Sequence, residues 1–176
     1  FSLDQLETLY RRVEDWDALA ETLDQQIQHK EGAALLDVKY RNAFLQQEVQ
    51  RDAKGAIEEY RKILEVDPQH EDTLKALEAL INGGEYANLA APVLTDTLRS
   101  LGDYGRLITA YQSHLNICDV RSEQARLCFE MGLIYQDALY DETSAFEAFA
   151  YSLSADASYL QSFDAMHKIV AQVNAW

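Results

Sequence analysis

A long-period internal similarity constrains this chain more than any other feature. Trp16-x-x-Leu19-x-x-x-Leu23-x-x-x-Ile27 returns 88 residues later as Tyr104-x-x-Leu107-x-x-x-Tyr111-x-x-x-Leu115, and Leu6, Tyr10, Val13 and Asp15 return as Leu94, Leu98, Leu101 and Asp103. At an offset of 89, Tyr40, Phe44, Leu45, Asp52, Ala56, Tyr60, Leu64 and Asp67 become Phe129, Leu133, Ile134, Asp141, Ala145, Phe149, Leu153 and Asp156. Within Leu6–Val13, Trp16–Ile27 and Ala56–Leu64, successive apolar members fall three or four residues apart, so each makes a stripe along one helical face. A short helix cannot cover such a stripe alone. A chain that repeats its stripes at a fixed period folds as an array in which each unit buries its face against the next.

The stretch Tyr40 to Pro68 shows how one unit is made. Ala56, Tyr60, Ile63 and Leu64 share a face, while Glu58, Glu59, Arg61 and Lys62 lie opposite. Asp52 is placed to cap the free N–H groups of the first turn. Pro68 stops the helix, because proline disfavours helical geometry at the residue before it. The preceding segment, with Leu36, Tyr40, Ala43, Phe44 and Val49, also has helical spacing, and the joint from Arg51 to Lys54 leaves room only for an antiparallel hairpin.

This hairpin resembles a tetratricopeptide repeat, on Ala56, Tyr60, Ile63 and Pro68 at the family's second-helix spacings. The first helix departs from the pattern: Tyr40 stands at the Trp position, and Ala43, Phe44 and Gln47 replace Leu, Gly and Tyr. Divergent units are placed near 37–70 and 126–159. The resemblance implies an all-α fold, a right-handed α-α superhelix or solenoid of stacked antiparallel hairpins.

In chain order, helices are expected over Leu3–Val13, Trp16–Ile27, the hairpin 34–66, a segment ending at Asn82-Gly83-Gly84, Tyr86–Leu101 around Pro92, and Tyr104–Leu115. Gly (7) and Pro (2) are too few for a loop-rich or stranded fold. The organisation expected is a single helical-repeat domain over 1–176 with long repeats of about 1–88 and 89–176. Each holds five helical segments, an odd number that leaves the layer of the helices around Pro92 open. Phe163, Met166, Ile169, Val170 and Trp176 repeat the spacing of Leu3, Leu6, Leu9, Tyr10 and Trp16. That echo, and a start at Phe1, lead us to expect a fragment of a longer protein.

The formal net charge is −15, and both halves share it: residues 1–88 carry 10 basic and 19 acidic groups, residues 89–176 carry 5 and 11. Bulk charge therefore excludes attraction to nucleic acid or anionic lipid. No apolar run approaches the ~20 residues of a membrane span. Cys118 and Cys128 fit no metal or redox spacing. Both are expected as small buried hydrophobes, in keeping with a reducing, cytoplasmic setting. His29, His70, His114 and His167 belong to no metal motif; His70-Glu71-Asp72 suits a helix start, and His114 and His167 are placed on polar faces in solvent. Asp137, Asp141 and Glu142 lack the oxygen spacing and central Gly of a calcium loop, so capping explains Asp141 better. No nucleophile–base pair, phosphate loop or cofactor motif is present, and no enzyme, metal or cofactor is expected.

The resemblance implies a concave groove lined by the first helix of each hairpin. By position it would show Val38, Arg41, Leu45 and Glu48 from one unit and Leu127, Glu130, Ile134 and Asp137 from the other, with Leu45 and Ile134 gripping an apolar anchor. The same residues are equally read as packing against adjacent helices. Asn42 fits one position of the carboxylate clamp that some family members carry, but Glu130 and Met131 occupy the equivalent region of the second unit and speak against that use. The function expected is a non-catalytic interaction scaffold that holds a protein or peptide, neutral or basic, in that groove. The alternative is a structural spacer or self-assembly segment of a larger protein.

Overall fold

The computed structural model describes residues 2–173, the side chains of Gln172 and Val173 excepted. Trp176, part of the terminal echo, lies outside them. The described residues form ten α-helices and no strand: α1 Leu3–Val13, α2 Trp16–His29, α3 Gly32–Glu48, α4 Ala53–Val66, α5 Glu71–Gly83, α6 Ala87–Leu101, α7 Tyr104–Ile117, α8 Arg121–Asp137, α9 Glu142–Ala155 and α10 Leu160–Val173. Pro92 lies inside α6, where it leaves the Asn88 carbonyl without its helical N–H. The segments around Pro92 are thus two helices, α5 and α6.

The helix bounds recur as the side chains do. α2 and α7 match at an offset of 88, and α3 with α8 and α4 with α9 match at 89. Turns and caps follow the same register. Asp15 and Asp103 accept from the N–H of Ala18 and Arg106, and Asp52 and Asp141 from those of Gly55 and Ser144. Glu14 and Gly102 both close a helix in the left-handed conformation, and Arg51 and Tyr140 share a φ near 55° in the hairpin turn.

By compactness the chain divides into unit 1, Phe1–Leu80, and unit 2, Ile81–Trp176, and α5 runs across the division. In unit 1, α1 packs on α2, α2 on α3 and α3 on α4. In unit 2 the sequence is α6 on α7, α7 on α8, α8 on α9 and α9 on α10. Each unit is therefore a run of hairpins leaning on one another, with no single centre.

Ala56, Tyr60, Ile63 and Leu64 are buried as their spacing requires. Tyr60 lies 5.9 Å from Tyr40, which lies 5.8 Å from His70. In unit 2, Phe149 and Tyr159 lie 5.5 and 5.4 Å from Phe129, so the two trios occupy equivalent positions. Gly132 packs so closely on the Phe149 ring that a Cβ would fall 2.6 Å from its Cδ1.

Several expectations need correction. Phe44 is 43 % exposed, whereas Val38 and Leu45 join Leu19 and Leu23 in the core. α3 is covered by α2 on one side and α4 on another, so no single stripe describes it. His114 is buried, not solvated, and Cys118 is only half-buried. Phe163 and Val170 are exposed on α10, whose buried face runs through Ser162, Ala165 and Ile169. Ser162 Oγ donates to Ser152 Oγ (2.7 Å), which donates to the Ala125 carbonyl (2.7 Å), so a short polar chain ties α10 and α9 to α8.

Candidate functional site: two clefts at equivalent positions

In unit 1 the seam where α1, α2 and α3 meet is stitched by charge. Glu7, buried on α1, accepts from Arg41 Nη1 at 2.7 and 2.8 Å through its two oxygens, from Gln26 Nε2 at 2.9 Å and from Arg11 Nη2 at 3.2 Å. Arg41 Nη2 also reaches Gln26 Oε1 at 3.4 Å. These bonds satisfy a carboxylate that could not otherwise be buried. Further along the seam Lys30 pairs with Asp4 at 2.9 Å and holds its carboxyl below the usual range.

Beside this network opens an apolar cleft of about 410 Å³. Trp16, Leu19, Tyr40, Phe44, Leu45 and Val49 line it, with Arg11, Arg41 and Glu48 at hand.

In unit 2 the corresponding seam of α6, α7 and α8 is open and forms a polar cleft of about 660 Å³. Repeat positions explain the difference. Asp4 and Lys30 correspond to Pro92 and Cys118, and Glu7 and Arg41 to Thr95 and Glu130, so neither stitch exists here. The Thr95 hydroxyl instead donates to the Ala91 carbonyl of its own helix at 2.9 Å. Arg99, the counterpart of Arg11, donates to Tyr111 Oη at 2.8 Å and to Glu130 at 3.0 Å. Arg126 Nε donates to Glu123 at 2.9 Å and lowers that carboxyl's pKa. Burial raises the Tyr111 hydroxyl.

His114, the counterpart of Gln26, is 4 % exposed, and its Nε2 lies 2.9 Å from Asn88 Oδ1. An amide oxygen only accepts, so Nε2 carries the proton. Nδ1 is then a lone pair, and it has no partner. Burial lowers the pKa of this ring.

The residues expected to line a groove fall into three groups. Val38 and Leu127 are fully buried on helices covered on two sides; Val38 lines neither cleft, whereas Leu127 forms part of the unit 2 cleft wall. Arg41, Leu45 and Glu48 line the unit 1 cleft, and Glu130 lines the unit 2 cleft. Ile134 is buried, Asp137 is exposed outside either cleft, and Asn42 donates to Asp24 at 3.0 Å across α2 and α3. Trp16, Arg99, Tyr111 and His114 were missed. The available signal was the exchange of polar residues at repeat-equivalent positions, Glu7 for Thr95 and Arg41 for Glu130. Among the described residues, no three His, Cys, Asp or Glu side chains gather as a metal site, and no helix is long and apolar enough to cross a membrane.

Stacked hairpins with clefts at their seams define an α-helical repeat protein, and its hairpins are tetratricopeptide-repeat-like. A tetratricopeptide-repeat family model matches residues 2–34, the α1–α2 hairpin that directly precedes the Tyr40–Pro68 unit. No curated protein matches the sequence. Among solved structures, a crystal structure of MamA is similar at 14 % identity and a TM-score of 0.44, over 96 % of this chain and 85 % of that one. MamA from residue 41 to its end, from Desulfovibrio magneticus RS-1, is similar at 13 % identity and a TM-score of 0.40, over 98 % and 84 %.

Proposed function

We propose that this chain is a protein-interaction scaffold whose unit 1 cleft grips an apolar side chain of a neutral or basic partner segment. The observation that carries the reading is Phe44. A large aromatic left 43 % exposed beside Trp16, Tyr40 and Leu45 keeps apolar area in water that a docked side chain would bury. Glu48 stands exposed at the rim, on a surface of net charge −15, and favours a partner that is not acidic. Arg41 is held by Glu7, so it orients without adding a free positive charge.

Trp16 reports on the cleft it lines. In a Trp176→Phe background, titration with a blocked basic peptide carrying one Leu changes Trp16 emission, and Phe44→Ser weakens the response several-fold. Unchanged emission at saturating peptide, or equal binding by the variant, contradicts the reading.

A further inference from the structure

We infer that the unit 2 cleft receives the guanidinium of an arginine side chain presented by a protein partner. The inference rests on the reading of the chain as an interaction scaffold, but it concerns a different unit and different chemistry. Unit 1 is the template. There the buried acceptor on the middle helix, Gln26 Oε1, faces an internal guanidinium, Arg41 Nη2, at 3.4 Å. In unit 2 the middle helix again carries a buried acceptor, His114 Nδ1, but the guanidinium position holds Glu130. The acceptor has lost its donor, and the seam has opened into about 660 Å³.

The charges around the cleft point to a cation. Arg99 and Arg126 are already engaged, by Glu130 with Tyr111 and by Glu123. Asp96 and Asp119 line the cleft and are exposed, and neither forms an ion pair among the described residues. The uncompensated charge is therefore negative. A guanidinium offers five donors in a planar fork, enough to meet a ring lone pair and a carboxylate together, whereas an ammonium is a compact point charge.

The test uses the whole chain and three blocked pentapeptides, Ala-Ala-Arg-Ala-Ala and its lysine and citrulline counterparts, followed by ring-nitrogen and amide NMR. The arginine peptide is expected to shift the His114 Nδ1 resonance and the amides around Asn88. The lysine peptide binds roughly tenfold more weakly or worse, a difference on the scale of one charge-assisted bond, and the citrulline peptide does not bind. Thr95→Glu with Glu130→Arg rebuilds the unit 1 stitch and abolishes the shifts. Should that variant not fold, the ranking of the three peptides on the native chain still decides. Equal binding of all three, or no shift at His114, overturns the inference. Shifts confined to Trp16 and Phe44 overturn it as well, while leaving the unit 1 reading intact.

Discussion

Removing Tyr60 tests the packing of the hairpins most directly. Its side chain is fully buried on α4, its ring lies 5.9 Å from that of Tyr40, and its hydroxyl donates to Gln47 Oε1 at 3.0 Å. Burial first, then Tyr40 and Glu48, push that hydroxyl far above the ordinary tyrosine range, so it stays protonated and keeps donating. Truncation of a buried aromatic to Ala costs about 3–5 kcal/mol through lost transfer energy and the cavity left behind. The ring pair adds about 0.5–1.5 kcal/mol. Tyr60→Phe removes only the hydrogen bond, about 1 kcal/mol, because Gln47 is partly exposed and regains water. Tyr60→Ala should therefore cost about 4 kcal/mol and Tyr60→Phe about a quarter of that. Against a typical total of about 5–15 kcal/mol, the first leaves unit 1 close to unfolding. Urea unfolding followed by Trp16 emission, again with Trp176→Phe, reads the unit that holds the substitution and avoids assuming that both units melt together. A loss below about 1 kcal/mol for Tyr60→Ala would refute the packing argument.

Three further outcomes are expected. Gly132→Ala drives a methyl into the Phe149 ring; overpacking of about 1–3 kcal/mol outweighs the gain of about 1 kcal/mol in helix propensity, whereas Gly83→Ala, whose Cβ meets nothing within 4 Å, is neutral or stabilising by urea titration. Glu7→Gln strips Arg41 of its anion and should cost about 2–3 kcal/mol in the same assay, less than the roughly 3–5 of a fully buried pair, since the Arg41 side chain is 32 % exposed. His114 gives unit 2 a pH dependence. Its folded pKa is lowered first by burial, which Arg126 reinforces and Glu123 partly opposes, so the unfolded chain binds the proton more readily. Stability should be independent of this group above the ordinary histidine value of 6.5, fall as the pH drops below 6.5, and level off below the folded pKa; His114→Gln should remove that step from thermal melts.

What the sequence disclosed follows from where its information is local. The stripe of α4 has one covered face, so Ala56, Tyr60, Ile63 and Leu64 were read correctly from spacing alone. The Asp52 and Asp141 caps were legible too, since a cap involves residues three apart. α3 and α8 were harder. A helix packed on two sides buries Val38 and Leu127 off the expected stripe, and the period blurs. His114 was misplaced because a polar type on an amphipathic helix is ordinarily solvated; only its pairing with Asn88, 26 residues away, shows why it is buried. The clefts were invisible for the same reason. They are set by which helices present opposite charges across a seam, and composition does not encode that. Comparing polar residues at repeat-equivalent positions would have shown the lost stitches at Thr95, Cys118 and Glu130.

The salt dependence of partner capture tests the central claim, that this acidic helical repeat holds a neutral or basic segment by an apolar grip and charge. A blocked peptide of Arg and Lys around one Leu is titrated into the intact chain between about 0.1 and 1 M salt, where the Debye length falls from about 10 to about 3 Å. The account predicts saturable binding that weakens several-fold over that range, with a residual affinity removed by replacing the Leu with Ser. Affinity indifferent to salt, or no saturable binding at the low-salt end, would contradict it.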